Sequence, residues 1–267
     1  MPELPEVKTI QEQLNSIMPF KIKSFELSNV ADSIIHTKID KLKGRTILNV
    51  SRKGKMLDFI FEDGRHLLSH LGMTGTWLIS KAKIKEKHTH FQLKGEDGYL
   101  AYVDPRRFGH MYLFDKDQAN KKLDELGIDL LDKKFSLEYF SMALKKYPNR
   151  FIKVTLLDQS LFAGTGNYIA NEICAHASVL PHRRVETLKN KEIRKLYQSV
   201  FKVINPSIKS GGATFAGGYR DTSGSKGNGL DHLVVFYQKT CQLCKEHKVV
   251  KTVLGQRGTY HCPNCQI

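Results

Sequence analysis

Two pairs of closely spaced cysteines constrain the fold of this chain most strongly. Two residues separate Cys241 from Cys244 and Cys262 from Cys265, and 17 residues lie between the pairs. Four thiolates at this spacing are typical of a tetrahedral structural zinc site. The alternative, a pair of disulfides, is disfavoured in a reducing cytoplasm. We therefore expect residues 233–267 to form a zinc finger that holds one structural Zn²⁺.

The first half of the chain has the pattern of a β-rich domain preceded by a helix. Residues 6–18 carry apolar side chains at helical spacing, which predicts an amphipathic helix. Short apolar runs then follow one another from residue 20 to residue 114, with turn signals such as Asp63-Gly64 between them. Many short strands at regular intervals indicate a β-sandwich or barrel.

The second half of the chain has a helical pattern. A predicted helix begins after Ser136, and two more span residues 166–177 and 188–208. Residues 210–230 are rich in glycine and polar side chains, which predicts a loop. Residues 233–237 form a short apolar run, which we expect to be a strand leading into the cysteine-rich segment.

The charge of the chain indicates a polyanionic partner. The 267 residues include 42 Lys and Arg against 27 Asp and Glu, so the net charge is +15. A basic excess spread along the whole chain favours nucleic acid as the partner, although a generic basic protein has the same composition. No apolar run approaches the roughly 20 residues of a membrane span, and the first residues do not resemble a signal peptide. We therefore expect a cytoplasmic protein that does not bind membranes.

The first residues carry groups suited to covalent chemistry on a sugar. Removal of Met1 would leave Pro2 as the N-terminal residue, with a secondary amine whose pKa of about 8 is well below the value of about 10.4 for lysine. Such an amine can condense with C1′ of a sugar to a cationic iminium, and the carboxyl of Glu3 can protonate the ring oxygen. This combination suits cleavage of an N-glycosidic bond. The alternative is structural, with Pro5 opening a helix and Glu6 complementing its dipole.

Six ordered motifs occur over essentially the whole chain. They are Pro2-Glu-Leu-Pro-Glu-Val7, Lys53-Gly-Lys-Met56, His70-Leu-Gly-Met-Thr-Gly75, Asp104-Pro-Arg-Arg-Phe-Gly109, Ala163-Gly-Thr-Gly-Asn-Tyr168 and Gln256-Arg-Gly-Thr-Tyr-His-Cys262. Together they resemble the bacterial formamidopyrimidine-DNA glycosylase family. Leucine at position 4 also resembles this branch, whereas the sister endonuclease VIII branch usually has glycine there.

The resemblance implies an α+β fold. Its parts would be an N-terminal β-sandwich with an N-terminal helix, a helical helix-two-turn-helix domain, and a C-terminal zinc-finger β-hairpin, with DNA across the cleft between domains. The predicted boundaries are 1–117 for the catalytic sandwich, 118–135 for a linker, 136–232 for the helix-two-turn-helix domain and 233–267 for the zinc finger. Residues 211–230 would be the lesion-recognition loop.

The resemblance also implies the reaction. Pro2 would displace the damaged base at C1′, and β- and then δ-elimination would remove the sugar. Glu3 resembles the family's proton donor, and we expect Glu6 to orient the amine or Glu3. Lys55 matches the family lysine assigned to phosphate binding and elimination, and Arg257 matches the arginine linked to the δ step.

We expect further residues to contact DNA. Met73, Arg106 and Phe108 match family residues that fill the gap left by the extruded nucleotide, because an apolar wedge restores stacking and arginine can bond the orphaned base. A phosphate contact is the alternative for Arg106. His70, His88 and Asn167 also match the family, and a structural role is the alternative for His90. Arg150 and Lys153 are further candidates for phosphate contacts.

The sequence therefore predicts a monomeric enzyme acting on duplex DNA that contains oxidised purines or abasic sites, associated with the bacterial nucleoid. Two alternatives remain. One is an endonuclease VIII-like glycosylase for oxidised pyrimidines. The other is a catalytically inactive zinc-containing DNA-binding protein, which would need the basic surface but no reactive Pro2.

Overall fold

A computed structural model describes residues 1–215 and 218–267 of the chain. Contacts between residues divide these into two compact units. The first unit comprises Met1–Glu125 and Ser210–Asn228, and the second comprises Leu126–Lys209 and Gly229–Ile267.

The first unit is a β-sandwich preceded by a helix, as the sequence predicts. One sheet has the strand order β1-β3-β4-β5-β9 and the other has the order β2-β7-β8-β6, and every neighbouring pair is antiparallel. The elements are α1 (Leu4–Asn15), β1 (Phe20–Lys21), β2 (Ser24–Leu27), β3 (Thr46–Lys53), β4 (Met56–Phe61), β5 (His66–His70), β6 (Thr76–Ser80), β7 (Thr89–Lys94), β8 (Tyr99–Val103), β9 (His110–Phe114) and α2 (Lys116–Asp124).

Aromatic rings from both sheets fill the core of the sandwich. The ring centroid of Trp77 on β6 lies 4.8 Å from that of Phe59 on β4 and 5.5 Å from that of Tyr102 on β8. All three side chains are fully buried, and the Trp77 indole N–H donates to Ser69 Oγ at 3.1 Å. A buried indole that keeps a hydrogen-bond partner stabilises the core without an unpaired donor.

Helix α1 is fixed to β3 by both apolar and polar contacts. Val7, Ile10 and Leu14 are fully buried. The Asn15 side chain accepts from the Val50 N–H at 2.8 Å and donates to the Val50 carbonyl at 2.7 Å. This pairing holds the end of the helix at Asn15, three residues before the predicted end at residue 18.

The second unit is mainly helical and ends in a two-stranded hairpin. The predicted helices are confirmed, and the longest, α6, has 20 residues. Within the described ranges, no helix is both long and apolar enough to cross a membrane. The elements are β10 (Ile128–Asp129), α3 (Leu137–Lys145), α4 (Ile152–Leu156), β11 (Phe162–Ala163), α5 (Asn167–His176), α6 (Asn190–Lys209), β12 (Val250–Leu254) and β13 (Arg257–His261).

The apolar run at residues 233–237 is not a strand, contrary to the prediction. The buried carboxylate of Glu172 on α5 accepts the N–H groups of Val234, Val235 and Phe236 at 2.7–2.9 Å. Burial raises the pKa of Glu172 to about 7, and these three bonds oppose that rise. The backbone groups that would form a sheet ladder are therefore used by one side chain.

The unit boundaries differ from the predicted domain boundaries at two places. Residues 118–124 of the predicted linker belong to helix α2 of the first unit, whose start Asp115 and Gln118 cap reciprocally at 2.8 and 3.2 Å. Residues 210–228, which include most of the predicted recognition loop, also group with the first unit. Ala216 and Gly217 of that loop lie outside the described residues.

Candidate active site

Two of the three residues that precede α1 are buried. Pro2 and Glu3 are both buried, and Glu3 is the N-cap of the helix. The Glu3 backbone N–H donates to Glu6 Oε2 at 2.7 Å, which is one half of a reciprocal capping box. The helix start therefore fixes the backbone on which Pro2 and Glu3 stand.

Glu6 joins this helix start to segment 210–228. Its second carboxylate oxygen accepts the Ala213 N–H at 2.6 Å. A Cβ on the adjacent Gly212 would lie 2.8 Å from Glu6 Cγ, and Gly212 has a φ of +87°, so glycine is required there. Both oxygens of Glu6 thus accept backbone hydrogen bonds, which suits a residue that positions Glu3 more than one that transfers protons.

Four of the predicted site residues affect the pKa of the amino-terminal amine. The pKa of the Met1 amine is lowered from its ordinary value of 8.0, chiefly by burial, while Glu3 and Glu6 raise it and Lys55 and Arg106 lower it. Lys55 lies in the β3–β4 turn and is only 8% exposed. An amine in these surroundings is less protonated at neutral pH, which favours nucleophilic attack.

His70 stands at the end of β5 as a neutral imidazole. Burial, with Lys55 and His110, lowers its pKa to about 4. The Gly72 N–H donates to His70 Nδ1 at 3.2 Å, so the ring proton is on Nε2. This ring can donate one hydrogen bond to a phosphate oxygen without needing a positive charge.

Two adjoining turns present the residues predicted to form the wedge. Met73 and Phe108 are 37% and 47% exposed, which is high for such large apolar side chains. The Arg106 guanidinium lies 4.6 Å from the centroid of the Phe108 ring, a cation–π distance. A Cβ on Gly72 would lie 2.3 Å from the Phe108 backbone, so only glycine allows the two turns to pack.

Asp104 organises these turns, a role that the sequence alone did not reveal. Its Oδ1 accepts the Thr74 hydroxyl at 2.6 Å and the Arg106 N–H at 3.2 Å. Its Oδ2 accepts the Gly109 N–H at 2.8 Å. An aspartate before proline often begins a turn, and this was the one available signal.

The two histidines near residue 89 differ as the sequence predicts. His88 is exposed, with a left-handed φ of 70°. His90 is buried, with Nδ1 3.0 Å from Ser28 Oγ and Nε2 3.0 Å from the Asp104 carbonyl oxygen. His90 is therefore structural, and of the two only His88 is accessible to DNA.

Segment 210–228 is held to the first unit at a second place. Gln13 on α1 donates to Asp221 Oδ2 and accepts the Thr222 N–H, both at 2.9 Å. Arg220 binds both carboxylate oxygens of Glu86, at 3.2 and 2.8 Å. The segment is thus anchored at Ala213 and again at residues 220–222.

In the second unit, the start of β13 is held by three side chains. The Gly258 carbonyl accepts from Lys153 Nζ at 3.0 Å, Asn167 Nδ2 at 3.0 Å and Asn171 Nδ2 at 3.5 Å. Arg257, the preceding residue, is exposed beside the hairpin turn, as predicted. Lys153 is fully buried, so it supports this hairpin and cannot contact phosphate directly, contrary to the prediction.

Arg150 is exposed, but its charge is already partnered. Its Nη1 donates to Asp158 Oδ2 at 2.9 Å, and its guanidinium lies 3.7 Å from the centroid of the Tyr147 ring. A phosphate contact by Arg150 would compete with Asp158. Arg150 therefore has a weaker case as a DNA contact than Arg257 has.

The four paired cysteines converge in the second unit. Their sulfur atoms all lie within 4.8 Å of one another, and the Cys241–Cys265 and Cys244–Cys262 distances are 4.0 and 3.9 Å. A tetrahedral zinc site with Zn–S bonds of about 2.3 Å has sulfur atoms about 3.8 Å apart. The cluster therefore fits one metal ion, and these distances are too long for disulfides.

The same sandwich and helical unit occur in proteins of known family. Residues 1–111 match the formamidopyrimidine-DNA glycosylase N-terminal domain, and residues 126–217 match the H2TH domain of that family. A formamidopyrimidine-DNA glycosylase of Oceanobacillus iheyensis is 37% identical over 100% of this chain and 98% of its own. One from Listeria monocytogenes is 35% identical over the full length of both chains.

The chain belongs to the formamidopyrimidine-DNA glycosylase family. The resemblance to this family that the sequence motifs indicate is therefore confirmed. Among solved structures, the MutM (Fpg) protein of Thermus thermophilus has a TM-score of 0.88 at 32% identity, covering 99% of this chain and 98% of that one. The Lactococcus lactis Fpg in complex with abasic-site DNA has a TM-score of 0.89 at 33% identity, covering 99% of both chains.

Proposed function

We propose that this family member is a base-excision-repair glycosylase for oxidised purines in duplex DNA, chiefly 8-oxoguanine and formamidopyrimidines, and a lyase at abasic sites. Full-length relatives carry the glycosylase name, and MutM has been solved with DNA containing carbocyclic 8-oxoguanine. The observation that carries the proposal is that Glu3, Glu6, Lys55 and Arg106 all act on the amino-terminal amine of Met1, whose pKa is lowered chiefly by burial.

The reaction begins once Met1 has been removed. The Pro2 nitrogen attacks C1′, the bond between C1′ and the base breaks, and the base leaves with a proton. Glu3 protonates the ring oxygen as the sugar opens, and the nitrogen and C1′ form an iminium. The iminium makes the C2′ hydrogens acidic, because it accepts the electron pair left by the departing proton.

Elimination then removes the opened sugar from the strand. Loss of a C2′ proton expels the 3′ phosphate, and a second elimination expels the 5′ phosphate. We assign Lys55 to phosphate binding and proton transfer in these steps, and Arg257 to the phosphates of the second one. The product is a one-nucleoside gap flanked by two phosphates.

The remaining predicted residues hold the DNA. Extrusion of a nucleotide costs a few kcal/mol of stacking and pairing. Met73 and Phe108 would enter the gap, while Arg106 bonds the unpaired base. His70 and Asn167 would each donate a hydrogen bond to phosphate, and His88 and Arg150 would add contacts outside the lesion.

The metal in this proposal is one Zn²⁺, and its role is structural. Four thiolates complete a tetrahedral shell and leave no open position for chemistry. Cys241, Cys244, Cys262 and Cys265 would hold the ion and so fix the base of the hairpin that carries Arg257. We expect a monomer that works in the cytoplasm on nucleoid DNA.

Borohydride trapping tests this proposal. Duplexes containing 8-oxoguanine, a formamidopyrimidine, an oxidised pyrimidine or an abasic site are incubated with the protein and reduced. We expect a covalent adduct, most abundant with the two purine lesions, and its near loss in Pro2→Gly. The oxidised pyrimidine belongs in the panel because the Lactococcus lactis enzyme has been solved with such DNA. Binding to every duplex without any adduct would instead identify a catalytically inactive DNA-binding protein.

A further inference from the structure

Two exposed histidines of the first unit, neither of which is assigned a role in the reaction, face each other next to His70. His36 precedes the sandwich strands β3 to β9 in sequence, and His110 is the first residue of β9. His36 Nε2 and His110 Nδ1 are 2.7 Å apart, and the ring centroids are 4.9 Å apart. We propose that this pair is a binding site for a divalent transition-metal ion such as Ni²⁺, Cu²⁺ or Zn²⁺, separate from the cysteine cluster.

The backbone holds the two rings in place. The His36 N–H donates to the Met111 carbonyl at 2.9 Å, and the Met111 N–H donates to the Ile34 carbonyl at 2.8 Å. The segment around His36 therefore runs alongside β9. The Tyr112 ring, with its centroid 5.2 Å from that of His36, packs against the pair. Ligands on such fixed backbone lose little entropy when they bind a metal.

A metal ion can replace the proton that bridges the pair. In the hydrogen bond, one nitrogen carries a hydrogen and the other is bare. If that hydrogen moves to the other nitrogen of its own ring, both facing nitrogens become bare and can bind one cation. Tetrahedral coordination at metal–nitrogen distances of about 2.0–2.1 Å needs nitrogens about 3.3 Å apart. The facing nitrogens must therefore separate by about 0.6 Å, and the rings must also tilt so that both lone pairs point at the ion. Both side chains are exposed, which leaves room for this movement.

The surroundings of His110 favour its neutral form, which can bind a metal ion. Burial and His36 lower the pKa of His110, and Asp104 raises it to a smaller extent. A ring that is neutral at neutral pH offers its lone pair without competition from a proton. Imidazole selects Ni²⁺, Cu²⁺ and Zn²⁺ over Mg²⁺ and Ca²⁺, which prefer oxygen ligands.

The site has two protein ligands, and water would complete the shell. His70 is the nearest further imidazole, with its centroid 6.5 Å from that of His110, but its Nδ1 accepts from Gly72. Two ligands give an exchangeable site, in contrast to the enclosed set of four thiolates. The geometry therefore points to reversible binding of one ion on the surface of the sandwich.

Equilibrium dialysis of the untagged, zinc-loaded protein against Ni²⁺ at pH 7.5 tests the proposal. We expect one bound Ni²⁺ per chain with zinc content unchanged, and a loss of Ni²⁺ affinity of at least about tenfold in both His36→Ala and His110→Ala. The matched control is His232→Ala, which removes an exposed histidine of the second unit and should bind Ni²⁺ as the wild type does.

A second measurement keeps the test independent of how the variants fold. Ni²⁺ is paramagnetic, so its addition to the wild type should broaden the ring resonances of His36 and His110 before those of other histidines. Wild-type protein that binds no Ni²⁺, variants that bind as the wild type does, or broadening confined to other histidines would each overturn the proposal.

Discussion

Glu6 illustrates how one side chain serves several parts of the proposed site. Its two oxygens accept the N–H groups of Glu3 and Ala213, at 2.7 and 2.6 Å. Hydrogen bonds to an ionised acceptor are stronger than neutral ones. Glu6 therefore links the proposed proton donor to segment 210–228, and it can affect catalysis without touching substrate.

Glu6→Gln should slow base excision by about tenfold or more. The amide NH₂ of the new side chain would face the N–H of either Glu3 or Ala213, and that N–H would lose its acceptor at a cost of about 2 kcal/mol. Single-turnover excision of 8-oxoguanine measures the effect. The control is Glu12→Gln on the same helix, where the exposed carboxylate pairs with Lys8 at 3.1 Å. Equal excision rates in Glu6→Gln and Glu12→Gln would contradict a positioning role for Glu6.

His70 should make stability depend on pH. Its pKa of about 4 in the folded protein lies below its ordinary value of 6.5. Between these values the unfolded chain binds a proton that the folded chain does not, so stability falls as pH drops from 6.5 to 4. The loss attributable to His70 is up to about 3 kcal/mol.

Urea unfolding at pH 7 and pH 4.5 measures this loss. His70→Asn keeps an acceptor near the Gly72 N–H but does not titrate, so its stability should fall less over the same interval. The change measured in the variant is subtracted from that of the wild type, and the difference is assigned to His70. An equal fall in wild type and variant would mean that His70 is not held neutral.

At the residue scale, candidate catalytic and metal-binding residues are easier to predict from the sequence than the hydrogen bonds that side chains make. The motifs indicate Pro2, Glu3 and the paired cysteines as candidate site residues, because the N-terminal motif and the two Cys-x-x-Cys pairs are rare patterns. The bond from Glu6 to Ala213 joins residues 207 positions apart, and nothing local signals it. Asp104 and Lys153 were likewise missed or misplaced, since their roles depend on turns and burial that only the fold creates.

Among the elements, the hairpin of β12 and β13 is held in place by hydrogen bonds from side chains of α4 and α5. Lys153 on α4 and Asn167 and Asn171 on α5 all donate to the Gly258 carbonyl, and Lys153 also donates to Thr259 Oγ1 at 2.8 Å. Burial of a lysine is costly unless its ammonium is fully bonded. These bonds therefore fix the direction in which Arg257 leaves the hairpin.

Lys153→Met should weaken DNA binding as Arg257→Ala does, although Lys153 is buried. In both variants the slope of log affinity against log salt should become shallower by about one unit, because one phosphate contact is lost. Lys145→Met, which changes an exposed lysine on α3, is the control. A full wild-type slope in Lys153→Met, with the Arg257→Ala slope reduced, would contradict this support role.

Element positions followed the apolar pattern closely, whereas element ends and polar helices did not. Strands β1 to β9 all lie within the predicted range 20–114, and α3 begins after Ser136, whose hydroxyl accepts the Tyr139 N–H at 3.1 Å. Helix α2 was missed because it is polar and buries only Ala119. Residues 233–237 were misassigned, since the carboxylate of Glu172 replaces a neighbouring strand.

On the scale of the whole molecule, the charge of +15 predicts steep salt dependence of DNA binding. If Lys55 and Arg257 each neutralise one phosphate, log affinity should fall against log salt with a slope of about −2, and each further phosphate contact by a cation makes the slope steeper by about one unit. Fluorescence anisotropy of a lesion duplex from 50 to 300 mM salt gives this slope. A flat response would contradict a binding surface built on these cations.

Removal of the metal should abolish DNA binding by the whole chain. Thiolates without a metal repel one another, so chelation should release one Zn²⁺ and loosen the hairpin that carries Arg257. Metal content and duplex affinity are measured before and after treatment. Cys174→Ala, which changes the buried cysteine outside the cluster, should keep the full metal content. Unchanged affinity in metal-free protein would refute the structural role.

The bond between the protein and its substrate tests the central claim most directly. Wild-type protein is trapped with borohydride on an 8-oxoguanine duplex, digested, and analysed by mass spectrometry. The account predicts that the sugar remnant is attached to the nitrogen of Pro2, in a chain that lacks Met1. Attachment to Lys55 or another lysine, or full activity in a chain that keeps Met1, would contradict it.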